Sequence, residues 1–221
     1  YGLTRTKGLY SIPVVIFKEL TSNQEVNLFI DINTNQKGVP ATLLIDIKNL
    51  AGTETKKEEK QRDVFDKLNN DSVMAGLMST NKGRVGKITR VSFNNATNYL
   101  FEGGFLENKD SDTIYRSLKN YLEAVETVFL ESKSDRAKIN NTTLFRAVLA
   151  IFNEVVDKCL KKFGDLKVSS LVECLSPISK ISFDAYSGSN NATYNRIISD
   201  MRTELNDHKS FYGNEVDSNM F

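Results

Sequence analysis

The sequence has little of what most enzyme and metal sites are built from. Its 221 residues include two cysteines, three prolines, one histidine and no tryptophan. Cys159 and Cys174 fall inside helical patterns, so we expect plain buried thiols rather than a disulfide framework or a cysteine metal site. His208 stands alone in a polar stretch, which leaves too few groups for a catalytic triad, a Cys–His pair or a multi-histidine metal site. The common hydrolase chemistries are therefore disfavoured, and no catalytic residue or metal ligand is predicted.

An excess of charge of one sign and long apolar runs are also missing. The 29 lysines and arginines nearly balance the 28 acids, giving a formal net charge of +1. Attraction to nucleic acid must therefore come from a local patch. No apolar run approaches the roughly 20 residues that a membrane span needs, and the start has no signal-peptide layout. We expect a soluble, cytoplasmic protein with no membrane partner, and, because the chain starts at Tyr1 in what looks like the middle of a unit, a fragment.

The hydrophobic pattern predicts an α+β fold that is mainly α. Residues 12–17, Ile-Pro-Val-Val-Ile-Phe, form a short apolar run that favours a buried strand. Ser22 and Glu25 have the spacing of a capping box, which predicts a helix over 23–33. Pro40 is well placed to open the next helix, which carries leucines and isoleucines to about residue 50.

Later segments are more strongly periodic. A helix with solvated first turns carries Val64, Phe65 and Leu68, and the glycine-rich basic stretch 79–90 predicts a loop. Apolar residues at helical spacing then predict a helix from Ser111, one long helix over 144–163 that ends at Gly164, and shorter helices. The short helices are expected at 171–175 and 194–205. The expected partition of the chain is an α/β part at 1–105, a helical domain at 106–208 and a mobile tail at 209–221.

A sequence phrase between the first two predicted helices resembles a known family. Residues 29–40 read Phe-Ile-Asp-Ile-Asn-Thr-Asn-Gln-Lys-Gly-Val-Pro and match the pattern F-x-x-I-N-x-x-Q-x-x-V. This phrase resembles the block that follows a strand in DGQHR-domain proteins, to which the DndB proteins of DNA phosphorothioate modification are related. The Asp-Gly-Gln-His-Arg motif itself is absent, and the opening Tyr-Gly-Leu resembles the residues that come after it. The resemblance covers residues 1–50 closely and the remainder loosely.

The resemblance implies a remnant of an α/β domain and a site on it. DGQHR domains are similar to ParB-like domains, and by that analogy Asn33, Gln36 and Lys37 would line an anion or nucleotide site. A nucleoside triphosphate with Mg²⁺ would then be the cofactor of the intact protein. A helix start near Pro40 would offer free N–H groups to a phosphate. In the alternative, Asn33 caps its helix and Gln36 ties the turn together.

The densest basic cluster unmixed with acids lies in the predicted loop. A flexible loop of this kind can follow a phosphate backbone, although surface lysines and arginines are also common in solvated loops. The residues concerned are Lys82, Arg84, Lys87 and Arg90, set among Gly83 and Gly86.

Three functions stay open. The first is a regulatory or accessory protein of a bacterial DNA modification or restriction system, which binds DNA or a partner complex. The second is a ParB-like switch that binds or hydrolyses a nucleotide and whose site is incomplete in this chain. The third is a protein-docking or homo-oligomerisation module, because long apolar helices suit an interface as well as a core.

Overall fold

A computed structural model describes residues 13–34, 40–80, 86–130, 132, 134, 137–188 and 190–207. Contacts between Cα atoms divide the chain into two compact units, residues 1–53 and residues 54–221. The partition expected from the sequence placed the boundary at 105/106. The observed boundary lies earlier because the helices between 56 and 102 pack into the same core as those after 111.

The first unit contains two helices that pack against each other, α1 (Ser22–Thr34) and α2 (Ala41–Ala51). The reciprocal capping pair of α1 is formed one residue earlier than predicted. Gln24 accepts a hydrogen bond from the backbone N–H of Thr21 at 2.9 Å, and the Thr21 hydroxyl accepts one from the N–H of Gln24 at 3.4 Å. Thr21 thus satisfies helix N–H groups that would otherwise lack partners.

The predicted buried strand at 12–17 is wrong for the residues that the structure describes. Residues 13–17 form no strand, and the exposed fractions of Val14, Val15, Ile16 and Phe17 lie between 53% and 76%. A strand needs a neighbour for its backbone hydrogen bonds, and within 13–34 and 40–53 the structure shows only helices and irregular segments. Ile12 lies outside the described residues.

The second unit is helical except for one two-residue strand pair, in the part of the chain that is described. The strands β1 (Met78–Ser79) and β2 (Ile88–Thr89) are parallel, with Met78 opposite Ile88. The remaining elements are α3 (Lys56–Asn70), α4 (Arg90–Glu102), α5 (Ser111–Phe129), α6 (Thr142–Ala150), α7 (Phe152–Phe163), α8 (Val168–Leu175), 3₁₀ turns at Ser176–Lys180 and Phe183–Ala185, and α9 (Asn191–Asp207).

Capping side chains just before α3, α5 and α6 fix where these three helices begin. Thr55 forms a capping box with Glu58 at the start of α3, and Asp110 and Asn141 accept hydrogen bonds from N–H groups in the first turns of α5 and α6. Such caps typically stabilise a helix by about 1 kcal/mol each. Gly164 ends α7 with a φ of 72°, as the sequence predicted.

One hydrophobic core holds the second unit together, and α5 lies in its middle. This helix packs against both α3 and α8. Both thiols are free and buried, as expected, and burial raises the pKa of Cys159 to about 12. A thiol with such a pKa is a poor nucleophile, because the thiolate is the reactive form.

The long helix predicted over 144–163 is in fact two helices, α6 and α7, which break at Ile151. Two tyrosine hydroxyls bind the end of α6. Tyr121 donates to the carbonyl oxygen of Val148 at 2.6 Å, and Tyr99 donates to that of Leu149. Carbonyl groups in the last turn of a helix need partners outside the helix, and these hydroxyls supply them, Tyr121 from inside the core and Tyr99 from its edge.

We expect the core around α5 to respond strongly to truncation. Leu118 is fully buried, so Leu118→Ala should lower the free energy of unfolding by about 2–5 kcal/mol. Leu130, at the end of the same helix, is 75% exposed, and Leu130→Ala should change it by less than about 0.5 kcal/mol. Urea unfolding followed by circular dichroism measures both. Equal losses for the two variants would contradict this account of the core.

Candidate functional site

Asn33 is the described member of the predicted nucleotide site. It lies in the last turns of α1, half-buried, and its Nδ2 donates to the carbonyl oxygen of Phe29 at 2.7 Å. This bond returns to a carbonyl oxygen one turn earlier in the same helix, so it is a local contact but not the helix cap that the alternative for Asn33 supposed. Gln36 and Lys37 lie outside the described residues. The nucleotide site with its triphosphate and Mg²⁺ therefore stays a prediction.

The predicted basic loop is anchored at its base. Its two ends meet in the β1–β2 pair, where Ile88 donates its N–H to the carbonyl oxygen of Leu77 at 2.9 Å. The N–H of Met78 is bonded to the Asn69 side chain at 3.2 Å. A loop whose ends are held close together can project its tip into solvent without losing its place on the protein. Lys82 and Arg84 belong by sequence to this loop and lie outside the described residues.

Gly86 joins the loop to the segment that precedes α6. Asn140 donates from Nδ2 to the carbonyl oxygen of Gly86 at 3.1 Å. The φ of Gly86 is +73°, which glycine adopts easily, and a Cβ atom there would lie 3.4 Å from the Asn140 amide. The next residue, Asn141, caps α6 through the N–H groups of Thr143 and Leu144. The basic loop is thus fixed to the start of α6.

Lys87 keeps a positive charge at this place. Its ammonium donates to the carbonyl oxygen of Gly76, and among the described residues no carboxylate pairs with it. A carbonyl contact orients the side chain without neutralising its charge. Lys87 is therefore the described residue of the basic cluster whose charge is still available to an anion.

Arg90 differs from the other members of the predicted basic cluster. It starts α4, is only 6% exposed, and its guanidinium lies 3.2 Å from Asp66 and 5.2 Å from the centre of the Phe65 ring. An arginine in this setting uses its charge and its stem for packing inside the protein. The expectation that Arg90 contacts DNA therefore has no support from its surroundings. The helical spacing of the apolar residues Phe93 and Leu100 is the signal that could have placed it at a helix start.

A cleft of about 330 Å³ lies close to the anchored loop. Its floor is apolar, and its polar side chains are Glu126, Ser132, Lys138 and Asn140. Burial, together with nearby Glu123, raises the pKa of Glu126. These groups suit the binding of an apolar side chain or ring with a polar group at its edge. The apolar residues that line the cleft are Leu77, Val125, Phe129, Leu130, Ala137 and Ile139.

No protein-family model matches the chain, and searches of curated proteins and of solved structures found no similar protein. The resemblance to DGQHR-domain proteins thus stays a prediction from the sequence. No helix in the described ranges is long and apolar enough to cross a membrane. Within those same ranges no group of three or more His, Cys, Asp or Glu residues could hold a metal ion.

The contrast between Arg90 and Lys87 can be measured as stability. Arg90→Ala removes a buried guanidinium from its half-exposed partner Asp66 and from its contact with Phe65, so it should lower the free energy of unfolding by about 1–3 kcal/mol. Lys87→Ala should change it by less than about 0.5 kcal/mol, because only one partly exposed contact is lost. Thermal unfolding of both variants tests this, and an Arg90→Ala protein as stable as the wild type would contradict the packing role of Arg90.

Proposed function

We propose that this chain belongs to a DNA-associated regulatory or accessory protein of a bacterial DNA modification or restriction system of the phosphorothioation type. The observation that carries the proposal is the basic loop held at the base by β1 and β2 and tied through Gly86 to α6. The resemblance of residues 29–40 to DGQHR-domain proteins supports the kind of system. The partner is DNA, alone or within a complex of proteins that act on DNA.

The charge of the loop suits a phosphate backbone. Residues 80–89 contain Lys82, Arg84 and Lys87 and no aspartate or glutamate, in a chain whose charges otherwise balance. A locally unbalanced positive loop draws in phosphates even when the net charge is small. Such contacts position a protein on DNA but do not distinguish one base sequence from another. The loop would therefore supply affinity, and the sequence preference would have to come from another part of the protein.

We expect Lys82→Ala combined with Arg84→Ala to weaken binding to every duplex and to flatten its salt dependence. Each lost phosphate contact should reduce the slope of log K against log salt by about 0.9, so the pair should reduce it by roughly 2. Fluorescence anisotropy with a labelled duplex of mixed sequence, at several salt concentrations, measures both quantities.

The matched control removes two positive charges elsewhere. Lys161 and Lys167 are exposed and each lies beside an aspartate, so Lys161→Ala with Lys167→Ala changes the net charge equally. This control should keep the slope of the wild type. If both double variants lose the same affinity and slope, the effect comes from net charge and the loop is not the contact.

A protein-docking module is the second candidate, and one observation favours it. Val14, Val15, Ile16 and Phe17 are consecutive, apolar and exposed, and an exposed apolar run of this kind can pair with the edge of a sheet or with a second copy.

If this run makes a homo-oligomer, light scattering should give a dimer for the wild type and a monomer for Val15→Asp. Leu50→Asp, which alters another exposed apolar residue of the same unit, is the control. A wild-type protein that is monomeric at all concentrations would contradict the homo-oligomer hypothesis.

A further inference from the structure

The cleft that Glu126 and Lys138 flank, which we call the α5 cleft, is apolar at its centre. Val125, Phe129 and Ile139 line it, and none of them is more than 6% exposed. Its volume of about 330 Å³ lies near the lower end of the range of ligand pockets, about 300–1,000 Å³. A site of this size suits a few side chains of an extended segment rather than a whole helix, which is about 10–12 Å across.

Charges of opposite sign lie at the edges of the α5 cleft. Glu126 comes from α5, and Lys138 comes from the segment that precedes α6. Glu123 lies one turn before Glu126, and among the described residues neither carboxylate pairs with a lysine or an arginine. Burial and the charge of Glu123 raise the pKa of Glu126, so a cation brought to this edge would stabilise the ionised form. This edge therefore favours a ligand with a positive charge beside its apolar part.

A segment of the first unit has the matching pattern. The side chains of residues 14–17, Val-Val-Ile-Phe, are 53–76% exposed, and a contiguous exposed apolar surface marks an interaction site. Lys18 and Glu19 follow directly and are also exposed, and in the described part of the chain no ion pair involves either of them. Residues 14–19, which we call the apolar segment, thus carry four apolar side chains followed by one charge of each sign.

We propose that the apolar segment of one chain docks into the α5 cleft of a second copy. The side chains of residues 14–17 would enter the cleft, Lys18 would meet the edge with Glu123 and Glu126, and Glu19 would lie towards Lys138. The inference rests on the second of the proposed functions, protein docking through the exposed run, and names the surface that receives this run.

Charge complementarity favours a second copy over other occupants. The carboxylates of Glu123 and Glu126 would repel the phosphates of a nucleic acid, which are themselves negative. The apolar segment supplies both the apolar side chains and the cation that the cleft favours, and every copy of the chain carries both surfaces. Because the two surfaces differ, two copies can exchange their segments reciprocally, and the exchange closes a dimer with two equal contacts.

The first test is the oligomeric state of the full chain by light scattering over a range of concentrations. Wild type should be a dimer. Val15→Asp alters the segment and Leu130→Asn alters the rim of the cleft, where Leu130 is 75% exposed. Each variant should raise the dimer dissociation constant roughly 30-fold or more, as expected when a central apolar contact is lost. Both residues are exposed, so circular dichroism should show wild-type folding.

Mixing the two variants tests whether the contact forms between copies. The Val15→Asp chain keeps an intact cleft, and the Leu130→Asn chain keeps an intact segment. An equimolar mixture should therefore contain a heterodimer held by one contact, although each variant alone is monomeric at the same concentration. A mixture that stays as monomeric as its components overturns the exchange between copies.

A charge exchange tests the orientation of the segment. Lys18→Glu and Glu126→Lys should each weaken the dimer roughly tenfold, because each brings like charges together. The two changes combined in one chain should restore most of the wild-type affinity. Glu107→Lys is the matched control, because Glu107 is an exposed acid between α4 and α5 and the charge changes equally. This control should keep the dimer of the wild type.

The outcomes separate this inference from the function on which it rests. Wild type that is monomeric at all concentrations overturns both the homo-oligomer and the docking of a second copy, and leaves the cleft to a different partner. A dimer that Val15→Asp abolishes but Leu130→Asn and Glu126→Lys leave intact overturns the cleft as the receiving surface and keeps the homo-oligomer. Single charge reversals that weaken the dimer without restoring it in combination overturn the pairing of Lys18 with Glu126.

Discussion

The arrangement of the second unit depends on the contact between Tyr121 and the end of α6. Tyr121 is fully buried, packs edge-on against Phe152 with ring centres 4.9 Å apart, and donates its hydroxyl proton to Val148. This contact lies at the break between α6 and α7. On either side of this break the neighbours differ: α6 packs against α4 and α9, while α7 packs against α8.

The loop that we connect with DNA is supported by α6. The residues just before it, Asn140 and Asn141, hold Gly86 and cap the helix, so the basic loop is tied to its start. The helix α9 also packs along α6. The same framework explains why two basic residues three positions apart differ in role. Lys87 lies at the end of the loop, whereas Arg90 lies inside the first turn of α4 and is used in packing.

Local patterns predicted much of the helical architecture, and tertiary contacts explain what they missed. Helix starts near Ser111 and the stop at Gly164 follow from periodicity and end signals in the sequence alone. The break at Ile151 depends on tyrosines from α4 and α5, which no local pattern contains. The apolar run 12–17 suggested a strand, but a strand also needs a pairing partner, and that is a non-local property. For the candidate site, the sequence predicted the loop that holds Lys87, whereas burial by neighbouring helices, which no local pattern contains, decided the role of Arg90.

The central claim is that the second unit binds DNA through the loop that β1, β2 and α6 hold in place. Hydrogen–deuterium exchange of the full chain, with and without a saturating duplex, tests it most directly. The account predicts slower exchange in peptides that cover 76–90 and 137–141 when DNA is present, and unchanged exchange in the centre of α5, which is already buried. Unchanged exchange throughout 76–90, with the duplex bound, would contradict it.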